Sequence, residues 1–299
     1  MSLINYSIII PHKISPSLLL RCINSIPRRN DIQIIIVDDN SDSDKVNFDC
    51  FPGINEKYIE VYFTKEGKGA GYARNIGLRH AKGKWLLFAD ADDYYVKNFI
   101  FILDQYLTSQ HDIIYFKVTS DTKGKFNRSF EINKNRELYI QKKISINNIK
   151  YLDWAPWNKM FLREFIEKYQ IKFDEIPIGN DAFFSFYSGE KSVNPLVIND
   201  EVYCITHNTN SITFSNRTYQ KDFYRLTIDL RINNFLRGHN LKQYQIPIIS
   251  YTSTFGFIKK YGFKKTIQYL SYIYENDSIL RYILLYLYKK LTLFITSKP

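Results

Sequence analysis

Two acidic clusters hold most of the chemistry available to this sequence. Asp38-Asp39 and Asp90-Ala91-Asp92-Asp93 each follow a short apolar run, Ile32–Val37 and Trp85–Ala89. Five ionised carboxylates gathered at one edge repel one another unless a cation or hydrogen-bond donors compensate. Hard divalent cations, magnesium or manganese, take such oxygen ligands and share them with phosphates. The ordinary use of a single Asp after a strand is to cap the next helix or turn. Two clusters at two strand ends favour a metal–phosphate site instead. Between them lies Lys65-Glu-Gly-Lys-Gly-Ala-Gly-Tyr-Ala-Arg74-Asn75-Ile-Gly77. Glycines just before a helix let backbone amides approach a phosphate or sugar. The spacing fits neither a Walker loop nor the dinucleotide fingerprint, and taken alone it reads equally as a turn before an amphipathic helix.

The elements that must position these groups alternate in type. Ser7–Ile10 is an apolar strand ended by Pro11. Ser15 and Pro16 open a helix whose Leu18, Leu19, Cys22, Ile23 and Ile26 recur at helical spacing. Ile32–Val37 and Glu60–Thr64 read as the next strands. Gly71–His80 reads as a helix closed by Lys82-Gly83, Trp85–Ala89 as a fourth strand, Val96–Leu107 as a helix and Asp112–Val118 as a fifth strand. Apolar strands alternating with helices predict an α/β fold with a mostly parallel sheet flanked by helices. Such sheets bind ligands outside the carboxyl ends of their strands, where both acidic clusters fall. Residues 119–150 read as polar and irregular. Residues 151–205 hold Trp154-Ala-Pro-Trp157-Asn-Lys159, a helix near Met160–Tyr169, the Gly179-Asn180-Asp181 turn, another helix and a strand near Leu196–Ile205.

The chain has 299 residues, 45% of them hydrophobic and 24% charged, which excludes a disordered or collagen-like class. Its formal net charge of +11 is unevenly placed: residues 217–299 hold fourteen Lys/Arg and four Asp/Glu, and so carry nearly all of it. A uniformly basic nucleic-acid binder would not distribute charge this way, and no recognition motif accompanies it. Cys22, Cys50 and Cys204 are few, odd in number and widely spaced, against a disulfide framework or zinc site and in keeping with a reducing cytosol. No signal peptide and no run of about 20 apolar residues is present. The expected location is cytoplasmic, peripheral at the inner face of the cytoplasmic membrane.

Four motifs come in a fixed order: Ser7-Ile-Ile-Ile-Pro11, Ile34-Ile-Ile-Val-Asp-Asp-Asn-Ser41 followed by Asp44, Gly69-x-Gly-x-Ala-Arg-Asn-x-Gly77, and Phe88-Ala-Asp-Ala-Asp-Asp93. Together they resemble the nucleotide-sugar half of the family-two glycosyltransferases of GT-A fold. Trp157-Asn-Lys-Met-Phe161, Gly179-Asn-Asp-Ala-Phe-Phe184 and, less strongly, Asn210-Ser-Ile-Thr213 resemble that family's acceptor-side motifs. The resemblance implies a GT-A domain over 1–216, with a nucleotide-sugar-binding half at 1–118 and an acceptor-binding half at 119–216, then a helical extension over 217–299. It implies metal-dependent, inverting hexosyl or N-acetylhexosaminyl transfer from a nucleotide sugar, a UDP-sugar first. The acceptor would be a hydroxyl of a glycan or lipid-linked glycan in bacterial surface polysaccharide synthesis. The alternative is a non-catalytic sugar-nucleotide-binding or membrane-associated scaffold of the same fold.

Residue by residue, the resemblance places Pro11 and Asp38 or Asp39 at the nucleotide base and Arg74 at the base or diphosphate. It places Asp90 toward the ribose and Asp92 on a Mn2+ or Mg2+ ion bridging the diphosphate, with Asp93 supporting that site or facing the donor sugar. Asp181 resembles the catalytic base, with Asn180 and Trp157 beside it on the acceptor side. Two departures stand out: His12-Lys13 follows Pro11 where the family usually has an aromatic residue and Asn, and Asn180 replaces the commoner Glu. The local sequence leaves alternatives open. Asp181 can cap the following helix, Trp157 can pack beside Met160 and Phe161, and a lone His207 is an ordinary structural or surface histidine. In the extension, Lys259-Lys260-Tyr-Gly-Phe-Lys264-Lys265 and Tyr286-Leu-Tyr-Lys289-Lys290 mix basic and aromatic residues. That mixture fits an anionic membrane surface or a helical bundle with a solvated basic face.

Overall fold

The computed structural model describes residues 3–122, 129–207, 218–248, 254–278 and 283. The Asn210–Thr213 motif and the Tyr286–Lys290 cluster lie outside the described residues. The chain divides into two compact units, Met1–Ser215 and Asn216–Pro299.

In the first unit, strands β1 (Tyr6–His12), β2 (Ile32–Asp38), β3 (Ile59–Phe63) and β4 (Trp85–Phe88) run parallel in the order β3-β2-β1-β4. Alternate residues of these apolar strands serve two cores, because successive side chains point to opposite faces of a sheet. Ile8 and Ile10 pack with Leu19, Cys22 and Ile23 of helix α1 (Pro16–Asn24). Ile9, Ile35 and Val37 pack with Ala73 of helix α2 (Ala70–His80). Next in the chain come β5 (Tyr94–Tyr95), α3 (Phe99–Asp104), β6 (Ile113–Ser120), α4 (Ser129–Ile140) and α5 (Ile146–Leu152). They are followed by β7 (Lys159–Leu162), α6 (Arg163–Lys168), α7 (Ala182–Lys191) and β8 (Pro195–Ile205).

The complete sheet has eight strands in the order β3-β2-β1-β4-β7-β6-β8-β5. Beyond β4 the pairing is mixed: β7 is antiparallel to β4 and β6, β8 is parallel to β6, and β5 is antiparallel to β8. Six of the eight strands still run the same way, as expected of a mostly parallel sheet, and only β7 and β5 run against them. For β7 the cause is the path after β6. The chain leaves β6 at the same edge that carries the acidic clusters, passes through α4 and α5, and re-enters at that edge, so β7 runs the opposite way. Strand β1 also continues through Pro11 to His12, which stands in register opposite Asp38.

Two expectations are corrected. Met160–Tyr169 is not one helix: Met160 and Phe161 are buried in β7, between β4 and β6, and the helix begins only at Arg163. The stretch 119–150 is not irregular where it is described, because it holds α4 and α5, the latter capped by the Ser145 hydroxyl accepting the Asn147 N–H. Both helices frame a buried ionic cluster. Arg136 donates to Asp153 Oδ2 at 2.5 Å, as does Asn158 at 3.0 Å, and the Lys159 ammonium donates to the backbone carbonyls of Asp153 (2.9 Å) and Ala155. One carboxylate thus balances two buried cations. Burial, reinforced by Arg136 and opposed by Asp153, lowers Lys159 to about 8.

The described residues of the second unit are helical: α8 (Tyr219–Gly238), capped by the Thr218 hydroxyl, then α9 (Thr254–Tyr261) and α10 (Phe263–Asn276). Leu226, Leu230, Ile248, Phe257, Tyr269 and Ile273 form their core. Among the described residues no helix is long and apolar enough to cross a membrane.

The ionic cluster yields a stability prediction. Asp153→Asn leaves Arg136 and Lys159 buried without a counter-charge. It should lower unfolding free energy by about 3–5 kcal/mol, read as a lower urea midpoint with unchanged slope. An unchanged midpoint would show that the cluster carries no such imbalance.

Candidate active site

The strand order brings the two acidic clusters to one edge of the first unit, with α2 running between them. At the end of β2, both Asp38 oxygens are engaged. Oδ1 meets His12 Nδ1 at 2.7 Å and the Ser41 hydroxyl at 2.6 Å, and Oδ2 accepts the Ser41 N–H at 2.8 Å. His12 Nε2 accepts the Ser15 N–H at 3.1 Å, so its other nitrogen, Nδ1, carries the proton that Asp38 receives. Burial alone would raise Asp38, but the His12 and Ser41 hydrogen bonds outweigh it and hold the carboxyl below its ordinary value. Asp39 is used differently. Its Oδ2 accepts the Gly69 N–H at 2.8 Å and lies 3.6 Å from the Lys13 ammonium, whereas its buried Oδ1 has no hydrogen-bond partner among the described residues. Gly69, at φ 96°, thus turns its amide toward Asp39, the first link between α2 and the acidic edge. Pro11 lies buried in β1, one residue before His12.

At the end of β4, Asp90, Asp92 and Asp93 bring carboxylate oxygens within 4.8 Å of one another, the one such metal-capable group among the described residues. His207 is not part of it. Burial, then the charges of Asp90 and Asp92, push Asp93 well above the ordinary carboxylate range. The trio is held from several sides. The Tyr203 hydroxyl accepts the Asp90 N–H at 2.9 Å and hydrogen-bonds Asp93, and the Thr206 N–H donates to Asp93 Oδ1 at 2.7 Å. Arg21 and the Thr206 hydroxyl both donate to the Asp92 carbonyl. Trp157, 4% exposed, stacks on Tyr203 at 5.2 Å between ring centroids. Of its two readings, the structure takes the packed one: the indole is a core side chain bracing the tyrosine that holds this loop.

Arg74 connects the trio to the turn before α7. Its guanidinium, 5% exposed and placed over the Phe173 ring, donates to Asp90 Oδ1 at 2.5 Å and to Asn180 Oδ1 at 2.7 Å. Asn180 is buried, and its neighbour Asp181 occupies the N-cap position of α7. Asp181 makes no capping hydrogen bond through its side chain; only its backbone carbonyl joins the helix, accepting from Ser185 at 3.0 Å. Burial raises Asp181 above its ordinary value, with Asp90 adding to the effect and Arg74 and Lys159 opposing it. Asp181, Arg74, Asp90 and Lys159 therefore share one electrostatic environment. The positioning roles of His12, Tyr203 and Thr206 were not read from the sequence. Only His12 left a signal, because its place one residue past Pro11 puts it level with Asp38 in a parallel pair.

The Glycosyl transferase family 2 profile matches residues 7–170, more than half of the chain. The chain belongs to that family. The Bacillus subtilis uncharacterized glycosyltransferase EpsJ is 27% identical over 220 residues, 69% of this chain and 62% of EpsJ. The chain thus spans less than two thirds of that relative. A 65-residue stretch, 22% of this chain and 25% of the relative, is 42% identical to the Escherichia coli UDP-Glc:alpha-D-GlcNAc-diphosphoundecaprenol beta-1,3-glucosyltransferase WfaP. Among solved structures, S. aureus TarS 1–349 in complex with UDP-GlcNAc superposes with a TM-score of 0.69 at 19% identity, covering 91% of this chain and 80% of that one. That likeness establishes the GT-A fold in this family 2 member.

The packing around Arg74 is tight enough to test. A Cβ on Gly71 would stand 2.0 Å from the Asp174 carbonyl oxygen and 2.9 Å from the Asn180 Cβ. Gly71→Ala should therefore push α2 away from the 174–181 segment, costing about 2 kcal/mol or more of stability, measurable as a lower melting temperature. An unchanged melting temperature would contradict this contact.

Proposed function

We propose that this chain is a metal-dependent inverting glycosyltransferase that moves a hexosyl or N-acetylhexosaminyl group from a UDP-sugar to a hydroxyl of a glycan or lipid-linked glycan. The observation that carries this reading is the Arg74 bridge. One buried cation joins the Asp90 end of the acidic trio to the turn presenting Asp181, so the donor-side acids and an uncapped carboxylate form a single site. On this reading residues 1–118 bind the donor, 119–216 the acceptor, and 217–299 form an extension that contacts an anionic membrane surface. A membrane contact suits an acceptor carried on lipid, as the names of relatives such as WfaP describe for those proteins.

Asp39 is the better candidate for the nucleotide base. Both oxygens of Asp38 are engaged by its neighbours, whereas Asp39 Oδ1 has acceptor capacity left for an imide N–H. Asp38, fixed by His12, then keeps the loop in shape, with Pro11 beneath it. The trio suits Mn2+ or Mg2+: its donors are all carboxylate oxygens, and burial and mutual repulsion raise Asp93 in the way a divalent cation would relieve. Asp92 would hold the ion, Asp90 would face the ribose and Asp93 would support both. When bound, such an ion neutralises charge on the departing diphosphate. Arg74 adds fixed positive charge beside the same atoms. Asp181 takes the acceptor hydroxyl's proton as that oxygen bonds to the anomeric carbon. An alcohol is far less acidic than an Asp carboxyl with an ordinary pKa near 4, so the proton moves late, with bond formation. One base and in-line displacement invert the anomeric centre.

Asp181→Asn should lower transfer by about 10²–10⁴-fold while donor binding, read by calorimetry, stays within a small factor. Because the folded Asp181 is raised, transfer should fall as pH drops through a value above the ordinary Asp range. That acid limb should be absent from any residual Asp181→Asn activity. Full transfer by both Asp181→Asn and Asp181→Ala would remove Asp181 as the base.

A further inference from the structure

The second unit sorts its charges by depth. Of the four acids between 217 and 299, Asp229 is buried within α8, Asp277 pairs with Arg237, and Asp222 accepts the Tyr261 hydroxyl at 2.7 Å and lies 3.9 Å from Lys260. Glu275 is the exposed one of the four. Lys259, Lys260, Lys264 and Lys265, by contrast, all stand exposed around the junction of α9 and α10. The positive excess counted in the sequence is thus sharpened at the surface by the inward placement of the acids.

Beside these lysines runs an apolar stripe that is exposed except at Leu270, which packs partly against the unit's core. Phe263, Ile267, Leu270 and Tyr274 follow at spacings of four, three and four residues, which places them along one side of α10. That side lies about a quarter-turn from the Thr266, Tyr269 and Ile273 face buried in the unit's own core. Phe263 is 68% exposed, Ile267 47% and Tyr274 76%. Linear apolar stripes flanked by lysine, with an aromatic residue at each end, match the interfacial layer of a bilayer, where rings sit among headgroups and ammonium groups meet lipid phosphates. A second copy of the chain stacked on the same stripe would set lysines against lysines. A nucleic acid would use the lysines and leave the stripe in water.

We propose that this side of α10 docks on an anionic phospholipid bilayer, with Phe263, Ile267 and Tyr274 entering the headgroup region and Lys259, Lys260 and Lys264 contacting lipid phosphates. The proposal rests on the membrane reading of the 217–299 extension and assigns that contact to particular residues. It is independent of the chemistry assigned to Asp181.

The test is co-sedimentation of the full chain with vesicles of phosphatidylcholine alone or mixed with phosphatidylglycerol, at low and moderate salt. The wild type is compared with Phe263→Ser/Tyr274→Ser and Lys259→Glu/Lys264→Glu, all at exposed positions, with melting temperature as the check on folding. The wild type should sediment with the anionic vesicles only, and less so as salt rises. Each double variant should lower the partition coefficient about tenfold or more at an unchanged melting temperature. Wild-type protein that ignores anionic vesicles at low salt overturns both the membrane reading and this face. Binding that persists undiminished in both double variants overturns the face and spares the broader reading. Equal binding to neutral vesicles removes the anionic requirement and with it the proposal. Self-association of the wild type that Phe263→Ser/Tyr274→Ser abolishes, seen by analytical ultracentrifugation, assigns the stripe to a second copy and also overturns it.

Discussion

Three carboxylates within 4.8 Å of one another at the end of a strand repel, and their neighbours are arranged to hold them there. Arg74 neutralises Asp90 from α2, Tyr203 and Thr206 engage the loop from β8, and Arg21 reaches it from α1. Trp157 in turn braces Tyr203 from the segment before β7. The holders come from α1, α2, the segment before β7 and the end of β8, so the mixed sheet is the device that gathers them. On the proposed function, such partners would hold the acids close for a cation without supplying its full compensation.

Arg74 connects this acidic edge to the rest of the site. Its bond to Asn180 ties the turn carrying Asp181 to the loop carrying Asp90, so both are positioned by one side chain. Asn at 180, where the family more often has Glu, fits this role. A neutral amide accepts from Arg74 without cancelling its charge, leaving that charge to act on Asp90 and Asp181. The tight contact of Gly71 with Asp174 and Asn180 belongs to the same arrangement, because α2 must lie close to that turn for Arg74 to reach it.

Much of this was legible in the sequence, for identifiable reasons. The strands β1, β2 and β4 are short and mostly apolar, with Asp at or just past the ends of β2 and β4, so both their existence and the location of the acids at one edge could be read. The order and spacing of the motifs pointed to the GT-A fold. Legibility failed where tertiary pairing decides. Met160-Phe161 carries no periodicity that separates strand from helix, and only the gap between β4 and β6 makes it a strand. The capping role open to Asp181 and the packing role open to Trp157 were equally readable locally; the structure leaves the first carboxylate uncapped and buries the second ring. The partners of Asp90 and Asp93 on β8 lie more than a hundred residues away, beyond any local pattern. In the second unit the charge excess was countable in the sequence, but only the fold shows three of the four acids buried or paired.

On the proposed function, the Asp90–Asp93 edge held by Arg74 is a nucleotide-diphosphate and metal site. Calorimetric titration of the full chain with UDP tests it most directly, with and without Mn2+, in the wild type and in Asp92→Asn. Mn2+ should markedly tighten UDP binding in the wild type, and Asp92→Asn should lose this gain while keeping its fold. UDP binding that is equally tight with the metal chelated, or a manganese effect that survives Asp92→Asn intact, would contradict it.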